Sequence, residues 1–295
     1  MPGILRINTM FINSKSLVFL FFLGFNTVSA QVKYCYSGDC ENGTGKYRTD
    51  SDDFYEGQFK DGVFEGFGKM HFKNGDTFEG DWKRGIPKKG AYYFKNGDKY
   101  IGPVDNFQAN GFGRMLFRNK DIYEGNYENG KASGQGMLFK FNGLKYTGNF
   151  KHDSYDGHGV MTFPNGNVYN GDFVNNVRQG TCVYQFRSGA IYRGDYFNDN
   201  FNGTGVYIFP DKSIYTGSWK DGKRSGRGIY RYSKHSFYEG EFKNDLRYGF
   251  GKMIYENGNV YEGYWINGKC KGKGSLRLSG GKVIAGNFKD NAFAR

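Results

Sequence analysis

The chain has 295 residues, of which 47 are glycine and 5 proline, with Phe, Trp and Tyr at 19% and a formal net charge of +12. This glycine has no collagen period, and so much of it beside so many rings argues against an ordinary mixed core. Short strands, closely spaced turns and rings packed over glycines are the remaining choice, and such a composition calls for a search for repeats first.

Arg6 and Lys15 give the first residues a positive, acid-free character, Leu17 to Phe25 is an apolar run, and Val28-Ser29-Ala30 is a small-residue cleavage site before Gln31. A membrane span needs roughly 20 apolar residues, which this run does not reach. Residues 1–30 are therefore expected to be a cleaved signal peptide, with a buried N-terminal helix as the alternative. Met10 as the start would leave the pattern intact, and Gln31 stands where a lipoprotein needs cysteine. The expectation is export, to a periplasmic, envelope-associated or secreted location.

Residues 31–54 keep Gly43 and Gly45 but lack an aromatic strand, which suits an N-terminal cap or degenerate repeat. Cys35 and Cys40 are a candidate disulfide in an oxidising compartment. The C-x4-C spacing alone is weak evidence for metal. Cys182 and Cys270 stand in different repeats and read as packing residues. Asn42-Gly43-Thr44 and Asn202-Gly203-Thr204 match a glycosylation sequon, but the string arises from the repeat itself.

From Tyr55 the segment YEGQFKDGVFEGFGKMHFKNGDT recurs with a period of 23 residues through Val283. Its opening aromatic falls at Tyr55, Phe78, Tyr100, Tyr123, Tyr146, Tyr169, Tyr192, Tyr215, Tyr238 and Tyr261. The pattern Y-x-G-x-[F/W], a turn, G-x-G, then aromatics and an Asn-Gly turn resembles the MORN (membrane occupation and recognition nexus) repeat. That resemblance implies about ten β-hairpins over residues 55–283, a closing half-repeat over 284–295, and much less about activity. Members of the family are often membrane-apposed or structural.

The residues point to the same fold, an all-β, elongated, single-layer antiparallel meander. Alternate side chains of a strand share a face, so Tyr55, Gly57 and Phe59 point one way and Glu56, Gln58 and Lys60 the other. Gly66, Gly68, Met70 and Phe72 line up in the second strand, where rings lie over glycine. Asn74-Gly75, Asn165-Gly166 and Asn257-Gly258 supply type I′ hairpin turns. Pro87, Lys88 in place of a G-x-G glycine, and Pro103 predict a kink or strand break between Gly85 and Asp105. Cys182 replaces another G-x-G glycine and puts ring packing there in question.

No catalytic constellation is present: there is no G-x-S-x-G, H-E-x-x-H or P-loop, and the G-x-G triplets belong to the repeat. His71, His152, His158 and His235 read as surface histidines. No catalytic residue, cofactor or metal site is expected, no nucleic-acid partner either, and the chain is expected not to be an enzyme. The lipid kinase domain that accompanies such repeats in some plant proteins has no counterpart here.

Charge is uneven. Residues 215–295 hold 16 Lys and Arg against 7 Asp and Glu. Lys220, Lys223, Arg224, Arg227, Arg231, Lys252, Lys273 and Arg277 are candidate residues for an anionic partner; alternation puts Arg227, Arg231, Lys252, Lys273 and Arg277 in a basic stripe that Lys223 and Arg224 extend on the adjoining turn, with a solvated face as the alternative. Val160, Val183, Val206, Ile208, Ile229 and Ile254 lie on the face opposite the rings, covered either by long neighbouring side chains or by a second copy in a homodimer. The expected function is binding or scaffolding in the cell envelope or outside the cell, towards a protein, anionic phospholipid or acidic envelope polymer. The alternative is a carbohydrate-polymer-binding accessory or effector that uses the aromatic stripe. A solvent-facing tyrosine row favours glycan; packed rings leave charge as the recognition element.

Overall fold

The computed structural model describes residues 34–294; the expected signal peptide over 1–30 lies outside the described residues. Among these there are twenty-five strands and no helix, in two compact units, 34–157 and 158–294. Within each unit antiparallel hairpins follow one another in chain order. The chain is an all-β antiparallel meander.

The first strand of a repeat alternates as the sequence requires. In Phe54–Lys60, Tyr55, Gly57 and Phe59 are buried and the residues between them exposed. The second strand, Val63–His71, carries a bulge: Gly57 pairs with Gly68 and Phe59 with Phe64, so Gln58 faces the stretch between. Simple alternation puts Gly66 and Gly68 on the ring face together. The bulge separates them. Gly66 takes a φ of 65° and leaves room on the outer face for Gln58, whose Oε1 accepts from Phe67 N at 2.9 Å. Gly68 lies under the Tyr55 ring.

The opening tyrosine then caps the bulge from the ring side. Its hydroxyl donates to the carbonyl three residues on, from Tyr55 to Gln58 at 3.0 Å, Tyr146 to Asn149 at 2.8 Å and Tyr215 to Ser218 at 2.9 Å. A carbonyl left over by the bulge is thereby satisfied without water. The rings continue between repeats: Tyr55 meets Phe59 and, from the next repeat, Trp82 edge to face, each at 5.2 Å between centroids, and stacks on Phe64 at 3.9 Å. At the turns between repeats a second ladder ties them together, as Asp76 Oδ1 accepts from Lys95 N at 2.7 Å and Asp98 Oδ1 from Arg118 N at 2.8 Å.

The prolines do not break the strands that hold them. Ile86–Tyr93 contains Pro87 and Lys99–Asp105 contains Pro103, both continuous, and the interruption falls later, at Asn110 between Gln108–Ala109 and Gly111–Leu116. Pro103 stands at the repeat position that faces the bulge, its carbonyl accepting from Tyr100 Oη at 2.7 Å. The N–H it lacks would lie on the same side as that carbonyl, outside the regular ladder. Cys182 is absorbed as well. It stands opposite Gly171, and Tyr169 beside it stays fully buried. Cys35 and Cys40 are joined by a disulfide, with Cα atoms 6.0 Å apart. At the other end Phe293 packs over Gly286, and Ala294 N donates to Asn287 O at 2.8 Å.

Candidate binding surface

The ring face is core. Tyr55, Tyr169, Tyr192, Tyr215 and Tyr238 have no exposed surface, and none of the other opening aromatics exceeds 2% exposure. Burial raises their phenols well above the ordinary range, to about 12 in Tyr215. A row of tyrosines facing solvent, which the carbohydrate reading requires, is not what the chain builds. The stripe is consumed in holding the repeats together.

Arginine enters this face in the second unit. Arg178, Arg224 and Arg247 occupy the position that Phe64 and Phe201 fill elsewhere, stacked on the opening tyrosine. Arg178 is buried, its guanidinium 5.5 Å from the Tyr169 centroid and 5.3 Å from that of Tyr196, with Nε donating to Asp199 Oδ1 at 2.7 Å. Arg224 lies 5.6 Å from the Tyr215 centroid and pairs with Asp245 at 3.2 Å. Arg247 stacks on Trp265 at 4.1 Å and donates to Gly268 O at 2.8 Å. Arg224 therefore leaves the expected anion-facing set: its charge is engaged among rings. The repeat template conceals this, because a basic residue in an aromatic slot counts as a surface charge until its neighbours are known. A sequence signal does exist, since Asp199 and Asp245 stand 21 residues after Arg178 and Arg224.

The remaining basic candidates are exposed on the outer face or its turn edge. Arg227, Arg231, Lys252, Lys273 and Arg277 share the outer face, as alternation requires, but carboxylates interleave with them. Arg227 pairs in register with Glu241, and Lys252 lies between Glu239 and Glu262. The unbroken basic stripe is thus corrected to a charge ladder with a basic excess. First-strand positions carry the acids and second-strand positions the bases. Phe250 and Tyr264, 49% and 51% exposed, face each other across strands on this surface with centroids 5.7 Å apart. Lys220, Lys223 and Lys243 lie at its turn edge.

Val160 is exposed on the outer face, and Val183, Val206, Ile208, Ile229 and Ile254 are half-buried there. Val183 faces Arg193, Val206 faces Arg193 and Thr216, and Ile208 faces Ile191 and Ile214. His158 reads as a surface histidine in the structure too: its Nδ1 lies 3.0 Å from Asp172 Oδ1, with both side chains exposed. Among the described residues no group of three or more His, Cys, Asp or Glu side chains could hold a metal ion.

The MORN-repeat family model matches residues 55–77, 123–145, 146–168, 169–191, 192–214, 215–237, 238–260 and 261–283. The chain belongs to the MORN-repeat family. The second and third repeats, which hold Pro87 and Pro103, fall outside those matches. No curated protein matches this MORN-repeat chain. Solved structures similar to it include the TCP10 domain of Danio rerio CPAP in complex with a peptide of Danio rerio STIL, at 14% identity and a TM-score of 0.37, covering 82% of this chain and 98% of that one. The same domain alone aligns at 16% identity and a TM-score of 0.39 over 75% and 99%. The TCP domain of Drosophila melanogaster SAS-4 (dCPAP), with a proline-rich motif of Ana2 (dSTIL), aligns at 14% identity and a TM-score of 0.22 over 75% and 90%. These likenesses are below the level at which one structure informs another.

Proposed function

We propose that this MORN-repeat chain is a non-enzymatic binding or scaffold protein, exported to the cell envelope or beyond, that holds a protein or anionic lipid partner on the outer face of its C-terminal repeats. The observation that carries the reading is the division of labour between faces. The rings are spent on the core, while Arg227, Arg231, Lys273 and Arg277 stay exposed on the other side beside Phe250 and Tyr264. Exposed aromatic and arginine side chains on one surface are the residue types that dominate binding energy at protein interfaces. Clustered Lys and Arg near an anionic bilayer contribute on the order of 1 kcal/mol each. The half-buried aliphatic row at Val183, Val206 and Ile229 supports self-association on the same face, read by sedimentation velocity: a strict monomer at every concentration removes it.

The lipid arm is tested by flotation with anionic and neutral vesicles at low and high salt. The wild-type chain floats with anionic vesicles and loses binding as salt rises, because exposed charges are screened beyond about 10 Å at 0.1 M. A variant carrying Arg227→Glu, Arg231→Glu, Lys273→Glu and Arg277→Glu does not float. Equal flotation with both vesicle types would remove the lipid partner.

A further inference from the structure

The hairpin from Lys220 to Lys223 breaks a rule that the other cross-strand pairs keep. Among the described register pairs in which both residues are charged, nine oppose unlike charges, such as Lys46 with Glu56, Glu128 with Lys131 and Glu239 with Lys252; the exception is Lys220, which faces Lys223. Directly opposed side chains start about 5 Å apart at Cβ, where like charges destabilise a sheet. Equivalent hairpins avoid the conflict by setting lysine against an apolar residue, as in Lys60 with Val63, Lys83 with Ile86 and Lys243 with Leu246. A like pair is tolerable where a counter-charge comes from elsewhere.

The place offers one a seat. Lys220, Lys223 and Lys243 line an open pocket of 370 Å³ together with Ser225, Asn244 and one carboxylate, Asp221. Three ammonium groups against one carboxylate leave an excess of two positive charges. The serine hydroxyl and the asparagine amide add neutral donors, so the pocket offers many donors and little competing charge to a compact dianion with several acceptor oxygens. Lys243 Nζ sits over the Tyr248 ring at 5.0 Å.

We propose that this pocket binds a phosphate-type dianion, carried either by a small molecule in solution or by a bilayer headgroup. The proposal rests on the reading of the C-terminal repeats as an anion-facing surface and names the chemistry recognised at its turn edge. Binding cancels the repulsion between Lys220 and Lys223, so phosphate stabilises the folded chain by mass action.

The test follows thermal unfolding of the full chain during titration with inorganic phosphate at constant ionic strength. The wild-type melting temperature rises saturably, while chloride at equal ionic strength leaves it unchanged. The variant Lys220→Gln, Lys223→Gln, Lys243→Gln binds phosphate at least about tenfold more weakly, as expected for the loss of charge-assisted hydrogen bonds. Lys223→Glu creates an unlike pair, as Glu128 and Lys131 form in their hairpin; it melts above wild type without phosphate and no longer responds to it. Equal phosphate responses in wild type and triple variant, or a Lys223→Glu chain no more stable than wild type, overturn the proposal. Flotation with phosphatidate vesicles that free phosphate competes away assigns the headgroup source, and phosphate binding without flotation assigns the soluble one. Should the triple variant still hold a partner through Arg227 and Arg231 while wild type ignores phosphate, the pocket fails and the wider reading stands. Phosphate binding with no partner at all gives the reverse.

Discussion

Arg178 and Asp199 form an ion pair at 2.7 Å in which the arginine side chain is 2% exposed, so a charge lies inside the ring core in a slot that Phe64 and Phe201 fill in two other repeats. The pair joins successive repeats, since Asp199 Oδ1 also accepts from Arg178 N at 3.2 Å. Removing Asp199 alone leaves a buried guanidinium uncompensated. Asp199→Ala is expected to cost about 3 kcal/mol in urea unfolding. The double variant Arg178→Phe, Asp199→Gly restores the combination found at Phe201 and Gly222, and recovers most of that loss. A double variant as unstable as the single one would contradict this.

The two glycines of one G-x-G triplet should respond differently. A Cβ on Gly136 would meet Tyr123 Oη at 2.5 Å, so Gly136→Ala displaces the ring and costs about 2 kcal/mol or more. A Cβ on Gly134 would meet only the Asn126 side chain, at 3.7 Å, but its φ is 76°, so Gly134→Ala costs only the left-handed penalty of about 1–2 kcal/mol. Tyr123→Phe removes the hydrogen bond to Asn126 O and costs about 1 kcal/mol. Near-ultraviolet circular dichroism separates the two glycine variants, because Gly136→Ala disturbs the ring environment and Gly134→Ala does not.

Alkali should unfold the chain cooperatively. Burial raises the Cys182 thiol from 9.0 to about 12, and the Tyr100 and Tyr215 phenols from 10.0 to about 12. Each group holds its proton more tightly folded than unfolded, so its stabilising contribution is complete below the unfolded value and lost as pH rises through the folded one. Stability is therefore flat below about pH 9 and falls between there and about pH 12. Phenolate absorbance should appear together with loss of the strand signal. Gradual ionisation of the buried tyrosines in a still-folded chain would contradict the packing.

Reduction of the Cys35–Cys40 bond should act locally. In a repeat array each unit leans on its neighbours, so loss of one cross-link frays the end it closes. Hydrogen exchange after reduction should quicken over residues 34–48 and stay unchanged beyond Phe64. Faster exchange throughout the first unit would show that this hairpin nucleates more than itself.

The strand pattern was legible in the sequence because period, Asn-Gly turns and opening aromatics repeat one local chemistry many times over. Pair relationships were not. The bulge that sends Gly66 outward depends on the register between Gln58 and its partner strand, and alternation counted along one strand cannot show it. Pro103 looked like a breaker because its neighbour across the bulge was unknown. Arg224 looked like surface charge because the ring slot it fills is defined by Tyr215 and Phe242 on other strands. The carboxylates at Glu239, Glu241 and Glu262 are evident in the sequence, yet only register shows that they stand between Arg227, Lys252 and the next basic residues.

Whether the outer face of the C-terminal repeats holds a partner is decided by affinity capture from envelope extract, comparing the wild-type chain with the variant bearing Arg227→Glu, Arg231→Glu, Lys273→Glu and Arg277→Glu. A partner is expected to be retained by the wild type, weakened by salt and absent from the variant, with both chains giving the same strand signal by circular dichroism. The same partner held equally by both chains would contradict it.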